Sequence, residues 1–311
     1  MKKLNLLRKV PLAGEQKKLF FISNTANEDE RKYVFGGETI GYKIWQKIFL
    51  GKQEIATLGA VNCIADDFSD RHKLAESNAT SKIISLVSEA VKRGFSVFVL
   101  GASTKYVINK LKKKFSECIF LGGNELTATA IVLQEKHFLD ADKNILILGG
   151  STNLATLNAQ LLRSFMLAKN IRPNARGTDD VLAKKFVDTG FVPVGFDEIN
   201  NGFRTTQVLN SIHLPLLQDC DFKRLGIEIC LEVARPTVYS SICNQTGVRW
   251  AQLGVFEHPE LIWENPLYDT KKKGLFACFL AGYIFSKYGE MEPVKALKLA
   301  IEDGFKLQHT T

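Results

Sequence analysis

The sequence has no uncharged run of about 18 apolar residues, the length a helix needs to cross a bilayer, so no membrane span is expected. It also lacks a signal-peptide pattern: Met1-Lys2-Lys3-Leu4 is basic, but the next apolar piece, Leu19–Ser23, is too short. The cysteines at 63, 118, 220, 230, 243 and 278 form no Cys-x-x-Cys and no Cys/His spacing, which excludes a zinc knuckle and a thioredoxin motif. Reduced thiols in the cytoplasm are the expectation. The five histidines show no Ser/His/Asp or Cys/His arrangement, and His258 beside Glu257 is expected to be a surface pair. Repeats and low-complexity segments are absent. No RNA-recognition motif, helix-turn-helix or aromatic platform is visible, so nucleic acid is not an expected partner.

What is present is globular. A composition of 45% hydrophobic and 24% charged residues excludes disorder, collagen-like repetition and a disulfide scaffold. At 311 residues the chain is one large domain or two ordinary ones. Lys plus Arg, 41, exceeds Asp plus Glu, 33, for a net +8, which suits an acidic macromolecular partner.

Up to about residue 70 only short apolar pieces occur, and they predict no architecture. From Ser77 the pattern sharpens. Ile83, Ile84, Val87, Ala90 and Val91 recur at helical spacing, and Gly94 stands where a C-cap needs positive φ. A strand at Phe95–Leu100, a helix at Lys105–Phe115, a strand at Cys118–Leu121 and a helix at Glu125–Phe138 follow. That alternation predicts a parallel sheet covered by helices. Asp140–Lys143 is a polar link and a candidate domain boundary. The strand Asn144–Leu148 then turns on Gly149 into a helix running through Leu167, as nucleotide-binding α/β domains begin. Further extended pieces are expected at Phe191–Val194, Thr205–Leu209 and Val238–Ser241, and a helical one at Leu182–Phe186. Two helices end the chain, one from near Asp269 to about Tyr288, the other from Glu292-Pro293 to Gly304. The expected fold is α/β: a substrate domain over 1–142, a Rossmann-like domain over 143–264, and C-terminal helices over 265–311 packing back.

Two places carry candidate chemistry. In a dinucleotide fingerprint, one glycine makes the turn, a second admits the pyrophosphate and a third packs helix on strand. Gly149 is the first, but the spacing puts the second on Ser151 and the third on Leu154. Gly150, Ser151 and Thr152 can still contact phosphate at a helix start; an ordinary strand–helix turn reads the same way. Arg172 and Arg176 lie where the second strand should end, a place that suits a 2′-phosphate. The other place is Cys278. On a helix beginning near Asp269, Gly274, Cys278 and Gly282 form one stripe with Ala281 beside it. Glycines within a helix cost about 1 kcal/mol each, so something needs the space, and a substrate groove over the thiol or a close helix crossing would both use it. Lys271, about 10 Å away by helical rise, is too far to perturb the thiol strongly.

Leu275-Phe276-Ala277-Cys278-Phe279, followed by a helix, resembles a segment of the cyanobacterial long-chain acyl-[acyl-carrier-protein] reductases, which make fatty aldehydes. Further short matches fall in the same order from about residue 75 to the end. They are Leu100-Gly101 with Ser103-Thr104, Gly123-Asn124 with Thr127, Asn174-Ala175-Arg176, Gly254-Val255-Phe256-Glu257, and Gly304-Phe305 with Leu307. The resemblance implies a thioester reductase in which Cys278 takes the acyl chain. NADPH would bind at Gly149, Gly150, Ser151, Thr152 and Arg176. The acyl substrate, brought by acyl carrier protein or coenzyme A, would lie against Gly101, Ser103, Gly123, Asn124, Thr127, Glu257, Gly274 and Gly282; no metal is implied. Lysines 112–114 and 271–273 would meet an acidic carrier. The sequence departs from the family at Gly149-Gly-Ser-Thr-Asn-Leu-Ala155, where Thr152 and Ala155 replace glycines, and at Leu126, which replaces a histidine. These departures keep a second reading open: a cysteine-dependent acyltransferase or acyl-binding protein on the same scaffold, without hydride transfer. The ribokinase-type sugar kinases are excluded, because the segment after Asp269-Thr270 lacks their Gly-Ala-Gly-Asp base motif.

Overall fold

The run Leu19-Phe-Phe-Ile-Ser-Asn24 forms strand β1, and all six of its residues are buried, as in a strand covered on both faces. The computed structural model describes residues 17–25, 27–68, 78–149, 153–167, 170–174, 187–212, 215–233, 237–265 and 274–308. After β1 the chain forms α1 (Glu28–Phe35), where Asn27 caps the helix by accepting from the Glu30 N–H, then the hairpin of β2 (Tyr42–Leu50) and β3 (Gln53–Val61). Next come α2 (Asn78–Lys92), β4 (Val97–Leu100), a 3₁₀ turn over Ala102–Val107, α3 (Ile108–Lys114), β5 (Ile119–Leu121) and α4 (Asn124–Glu135). These strands, joined by β12 (Leu261–Trp263), make a sheet in the order β12-β2-β3-β1-β4-β5. Within it β3, β1, β4 and β5 run parallel.

A second sheet contains β6 (Asn144–Leu148), β7 (Asn170–Pro173), β8 (Gln207–Asn210), β9 (Ile229–Glu232) and β10 (Arg249–Gln252), ordered β10-β9-β8-β6-β7. Every pairing in it is parallel. Its helices are α5 (Asn153–Ser164), α6 (Phe196–Asn200), α7 (Asp219–Leu225) and α8 (Ser240–Thr246). The chain ends with β11 (Val255–Glu257), β13 (Gly274–Phe276), α9 (Ala277–Tyr288), α10 (Pro293–Glu302) and β14 (Lys306–Leu307). Strands β13, β11 and β14 form a small antiparallel sheet. The expected α/β fold is therefore present, with parallel sheets, a doubly wound second half and C-terminal helices packed back on the first sheet.

Helices α9 and α10 share one core with the first sheet, in which Leu19, Phe21 and Val99 meet Phe279, Leu280, Ile284, Leu297 and Ala300. Helix α4 joins the halves: Leu126 and Ala130 belong to that core, while Ile131 and Val132 enter the core of the second sheet with Ile145, Ala155 and Ala159.

Several sequence expectations are corrected. Val238–Ser241 is not extended; it leads into α8. The Glu232 carboxylate accepts from the N–H groups of Val238 and Tyr239, and the Tyr239 hydroxyl accepts from those of Leu216 and Leu217. So short an apolar run cannot choose between strand and helix. Of Phe191–Val194, only Val194 pairs, in a single bridge to Asn174. The penultimate helix starts at Ala277 rather than near Asp269, because Gly274–Phe276 pairs with β11. Leu182–Phe186 lies outside the described residues.

Candidate functional site

Three strands of the first sheet end together. Strand β1 ends on buried Asn24, Gly101 follows β4, and the pair Gly122-Gly123 follows β5. Ser103 N–H donates to Asn24 Oδ1 at 3.2 Å, and Thr104 Oγ1 donates to the Gly101 carbonyl at 2.6 Å, so the 3₁₀ turn is tied to β1 and β4. Gly123 has φ +62° and is the N-cap of α4. Its carbonyl accepts from Thr127 Oγ1 at 2.7 Å. Asn124, the first residue of α4, accepts from Lys105 Nζ at 2.8 Å.

Against this rim lies the start of α9. Cys278 is its second residue and half-buried, and Phe279 stacks on Phe21 of β1 with centroids 4.3 Å apart and rings 9° from parallel. A Cβ on Gly123 would stand 2.5 Å from Cys278 Cα and 2.9 Å from its carbonyl oxygen. A Cβ on Gly101 would stand 3.0 Å from the Phe279 ring. The Gly254 carbonyl accepts from Ala277 N–H at 2.8 Å, which fixes where the helix begins. Two helix starts, those of α4 and α9, therefore meet at the sulfur-bearing residue, and neither N-cap caps its helix with a side chain. Helix starts favour negative charge.

The structure brings Gly123 against Cys278 and Gly101 against Phe279, with Asn124 and Thr127 following Gly123 on α4 and Ser103 following Gly101 in the 3₁₀ turn. It does not bring the rest. Gly274 is in β13, not on the helix, so the expected stripe with Cys278 does not exist. Gly282 is on α9, but its missing Cβ would run into Val99 Cγ2 and lie 3.2 Å from Leu19 Cδ1. It permits a close crossing of helix over sheet and opens no groove. Glu257 pairs with Gly274 at one end of β11, while the other end, Val255, pairs with Phe276 next to the helix start. The lysines 271–273 lie outside the described residues.

His258 is buried rather than a surface partner of Glu257. Its Nδ1 accepts from Glu260 N–H at 3.0 Å, so Nε2 carries the proton and donates to the Asp303 carbonyl at 3.0 Å. Both ring nitrogens serve the turn. Sequence reasoning missed Lys105 and Asn24; the signal for Lys105 was the Gly101-Ala-Ser-Thr-Lys105 turn after a buried strand, and no local pattern marked Asn24. Among the other cysteines, burial pushes the Cys63 and Cys118 thiols up, and contact with Cys243 together with burial raises Cys230 well above its ordinary value. None of those three is poised as a thiolate.

The second sheet has its own crevice. Strand order reverses between β6 and β8, and ligands of doubly wound sheets sit outside the carboxyl ends of such a pair. Gly149 follows β6 with φ +74°, and a Cβ there would run into Ile212 Cγ2 and lie 3.0 Å from Ser211 Oγ. Its positive φ is the tight turn asked of the first glycine of a dinucleotide fingerprint. Asn174, just past β7, is buried, and its Nδ2 donates to the Val194 carbonyl at 3.2 Å. Arg172 of β7 is bound to Glu198 Oε1 at 2.7 Å. Of the residues expected to hold a dinucleotide, the structure describes Gly149 alone; Gly150, Ser151, Thr152 and Arg176 lie outside the described residues. Behind the crevice Glu232, fully buried, accepts from Asn210 Nδ2 at 3.0 Å, Val238 N–H at 2.9 Å, Tyr239 N–H at 3.1 Å and Trp250 Nε1 at 2.7 Å.

No protein-family model matches the chain, and no curated protein does. Among solved structures it is similar to shikimate dehydrogenase 1 of Peptoclostridium difficile, at 12% identity and TM-score 0.43 over 76% of this chain and 85% of that one. L-tryptophan dehydrogenase of Nostoc punctiforme is similar at 12% identity and TM-score 0.41, over 91% of this chain and 78% of that one. A dipicolinate synthase chain of Bacillus halodurans is similar at 13% identity and TM-score 0.36, over 76% of this chain and 89% of that one. None of these three is an acyl-carrier-protein reductase by name, and at such values they carry nothing about residue roles. Among the described residues no helix is long and apolar enough to cross a membrane.

Proposed function

We propose that this chain is an NADPH-dependent oxidoreductase that reduces acyl thioesters to aldehydes through an acyl group on Cys278. The observation that carries the reading is the meeting of the α4 and α9 starts at Cys278, with the Lys105 amino group held on Asn124 beside them. Cys278 sulfur, as thiolate, attacks the thioester carbonyl carbon; the carrier thiol leaves and takes up a proton, and an acyl-cysteine remains. The helix starts and the Lys105 ammonium stabilise the negative oxygen of the tetrahedral intermediate. The turn at Gly149 would hold NADPH, which when bound would supply the hydride to the acyl carbon. Collapse of the resulting thiohemiacetal breaks the carbon–sulfur bond, regenerating the Cys278 thiolate and releasing aldehyde. Phe279, stacked on Phe21, keeps the helix start from shifting during these steps.

Intact-mass spectrometry after mixing with an acyl-carrier thioester tests the first half: one acyl adduct is expected, and it disappears in Cys278→Ala. An adduct that persists in that variant removes the assignment. The second reading, acyl transfer without hydride, is favoured by Ala155, which is fully buried in α5 where the acyl-carrier-protein reductases have a glycine. Titration calorimetry with NADPH and NADH separates the two readings, and absence of binding by either nucleotide selects acyl transfer.

A further inference from the structure

A buried carboxyl with an unsatisfied oxygen lies away from both crevices. Glu135 ends α4 and Asn158 lies on α5, and both are buried to within about 1% of completely. Asn158 Nδ2 donates to Glu135 Oε2 at 3.0 Å. The other oxygen of each group, Glu135 Oε1 and Asn158 Oδ1, is buried with no hydrogen-bond partner among the described residues. Two orphaned acceptors left over from one acid–amide contact are what a missing proton looks like, because an O–H on Oε1 would donate to Oδ1 and satisfy both atoms at once.

We propose that Glu135 is protonated in the folded chain and closes a two-hydrogen-bond ring with Asn158, a lock between α4 and α5 that opens when the carboxyl ionises. No cation among the described residues offsets a buried carboxylate here. On α4, Lys136 and His137 are exposed and the neighbouring Gln134 is spent on the Gln308 carbonyl and Gly254 N–H. On α5, Arg163 is turned to the Thr189 and Gly190 carbonyls. Of the helices packed on α4, α9 has its Lys287 bound to Asp303, and α10 carries Lys295, Lys298 and Glu302 on its outer side. Lys306 of β14 is exposed as well. Burial therefore dominates and pushes the Glu135 carboxyl up to about 8, the Asn158 hydrogen bond only partly opposing it. Since α4 packs in the cores of both sheets, the ring couples the two halves of the molecule.

The sign follows from the raised value. The folded chain holds the proton more tightly than the unfolded chain, so the stabilisation is complete below the ordinary value of 4.5 and is lost as pH rises through about 8. Infrared spectra of the full chain should show a protonated-carboxyl C=O band at pH 6 that fades through about pH 8; no such band at pH 6 overturns the proposal. Glu135→Gln replaces the acid by a neutral amide that closes the same ring. Relative to that variant the wild type should lose about 5 °C of Tm between pH 6 and 9. Parallel Tm–pH curves for the two proteins overturn it, and the infrared titration of the wild type decides alone if the variant does not fold.

Discussion

Gly123 and Cys278 are in backbone contact: the closest atom to the place where Gly123 lacks a Cβ is the Cα of Cys278, at 2.5 Å. The turn after β5 and the start of α9 are separated by more than 150 residues of sequence, yet the backbone of Cys278 leaves room for nothing larger than hydrogen on Gly123. Any nucleophilic role for Cys278 depends on that contact, because it sets where the first turn of the helix stands.

Gly123→Ala should lower stability by about 2–5 kcal/mol. A left-handed residue with a side chain costs about 1–2 kcal/mol, and overpacking adds about 1–3 kcal/mol. Urea denaturation measures the loss, and peptide mapping of Cys278 alkylation should show a changed rate. An unchanged midpoint contradicts the contact.

Gly282→Ala separates packing from substrate binding. Its methyl group would meet Val99 and Leu19 in the core, so a loss of about 1–3 kcal/mol is expected. Acyl capture by the fraction that remains folded should keep its chain-length preference. A shifted preference without loss of stability would restore the groove reading.

Glu232→Gln removes a carboxylate that accepts from four N–H donors. A glutamine can accept at only one of its two terminal atoms, so donors are left buried and unmet, at about 2–4 kcal/mol. Trp250 fluorescence reports the event directly, because its indole N–H loses its 2.7 Å partner. An unchanged emission spectrum with unchanged Tm would mean the network carries little.

Asp303 joins the two C-terminal helices, accepting from Lys287 at 2.9 Å, Tyr288 OH at 2.5 Å and Tyr283 OH at 3.0 Å. Burial alone would raise its carboxyl, but the hydrogen bonds from Tyr288, Lys287 and Tyr283 outweigh it and hold the value below the ordinary 3.8. A depressed value means stability present above that pH and lost as pH falls through the folded value. Asp303→Asn should cost about 1.5–3 kcal/mol at neutral pH and flatten the Tm profile below about pH 4. An acid limb as steep as that of the wild type would assign the loss to other carboxylates.

Local chemistry determined much of this protein in advance. Asn144–Leu148 is a strand in the sequence and a strand in the fold, because five consecutive residues without a helical partner pattern end on a glycine. The helical spacing of Ile83, Ile84, Val87, Ala90 and Val91 likewise made α2 legible, and of these Ile83, Val87 and Ala90 are on its buried face. Of the turn residues that stand out in short local segments, Gly123 lies against Cys278 and Gly101 against Phe279.

Tertiary structure alone decided the rest. Gly274-Leu-Phe276 continues the apolar pattern of the helix behind it, and only the offer of strand partners by Val255–Glu257 makes it β13. Without that ladder Gly274 joins a stripe with Cys278; with it, the helix starts at Ala277, one residue before the sulfur, and the stripe vanishes. Likewise β1, unreadable as a short apolar piece, becomes a central strand once β3 and β4 pair on its two edges. Gly282 looks like space for a ligand until Val99 occupies it. In each case the information lies in pairings and contacts between distant segments, and a local pattern cannot state what will stand opposite it.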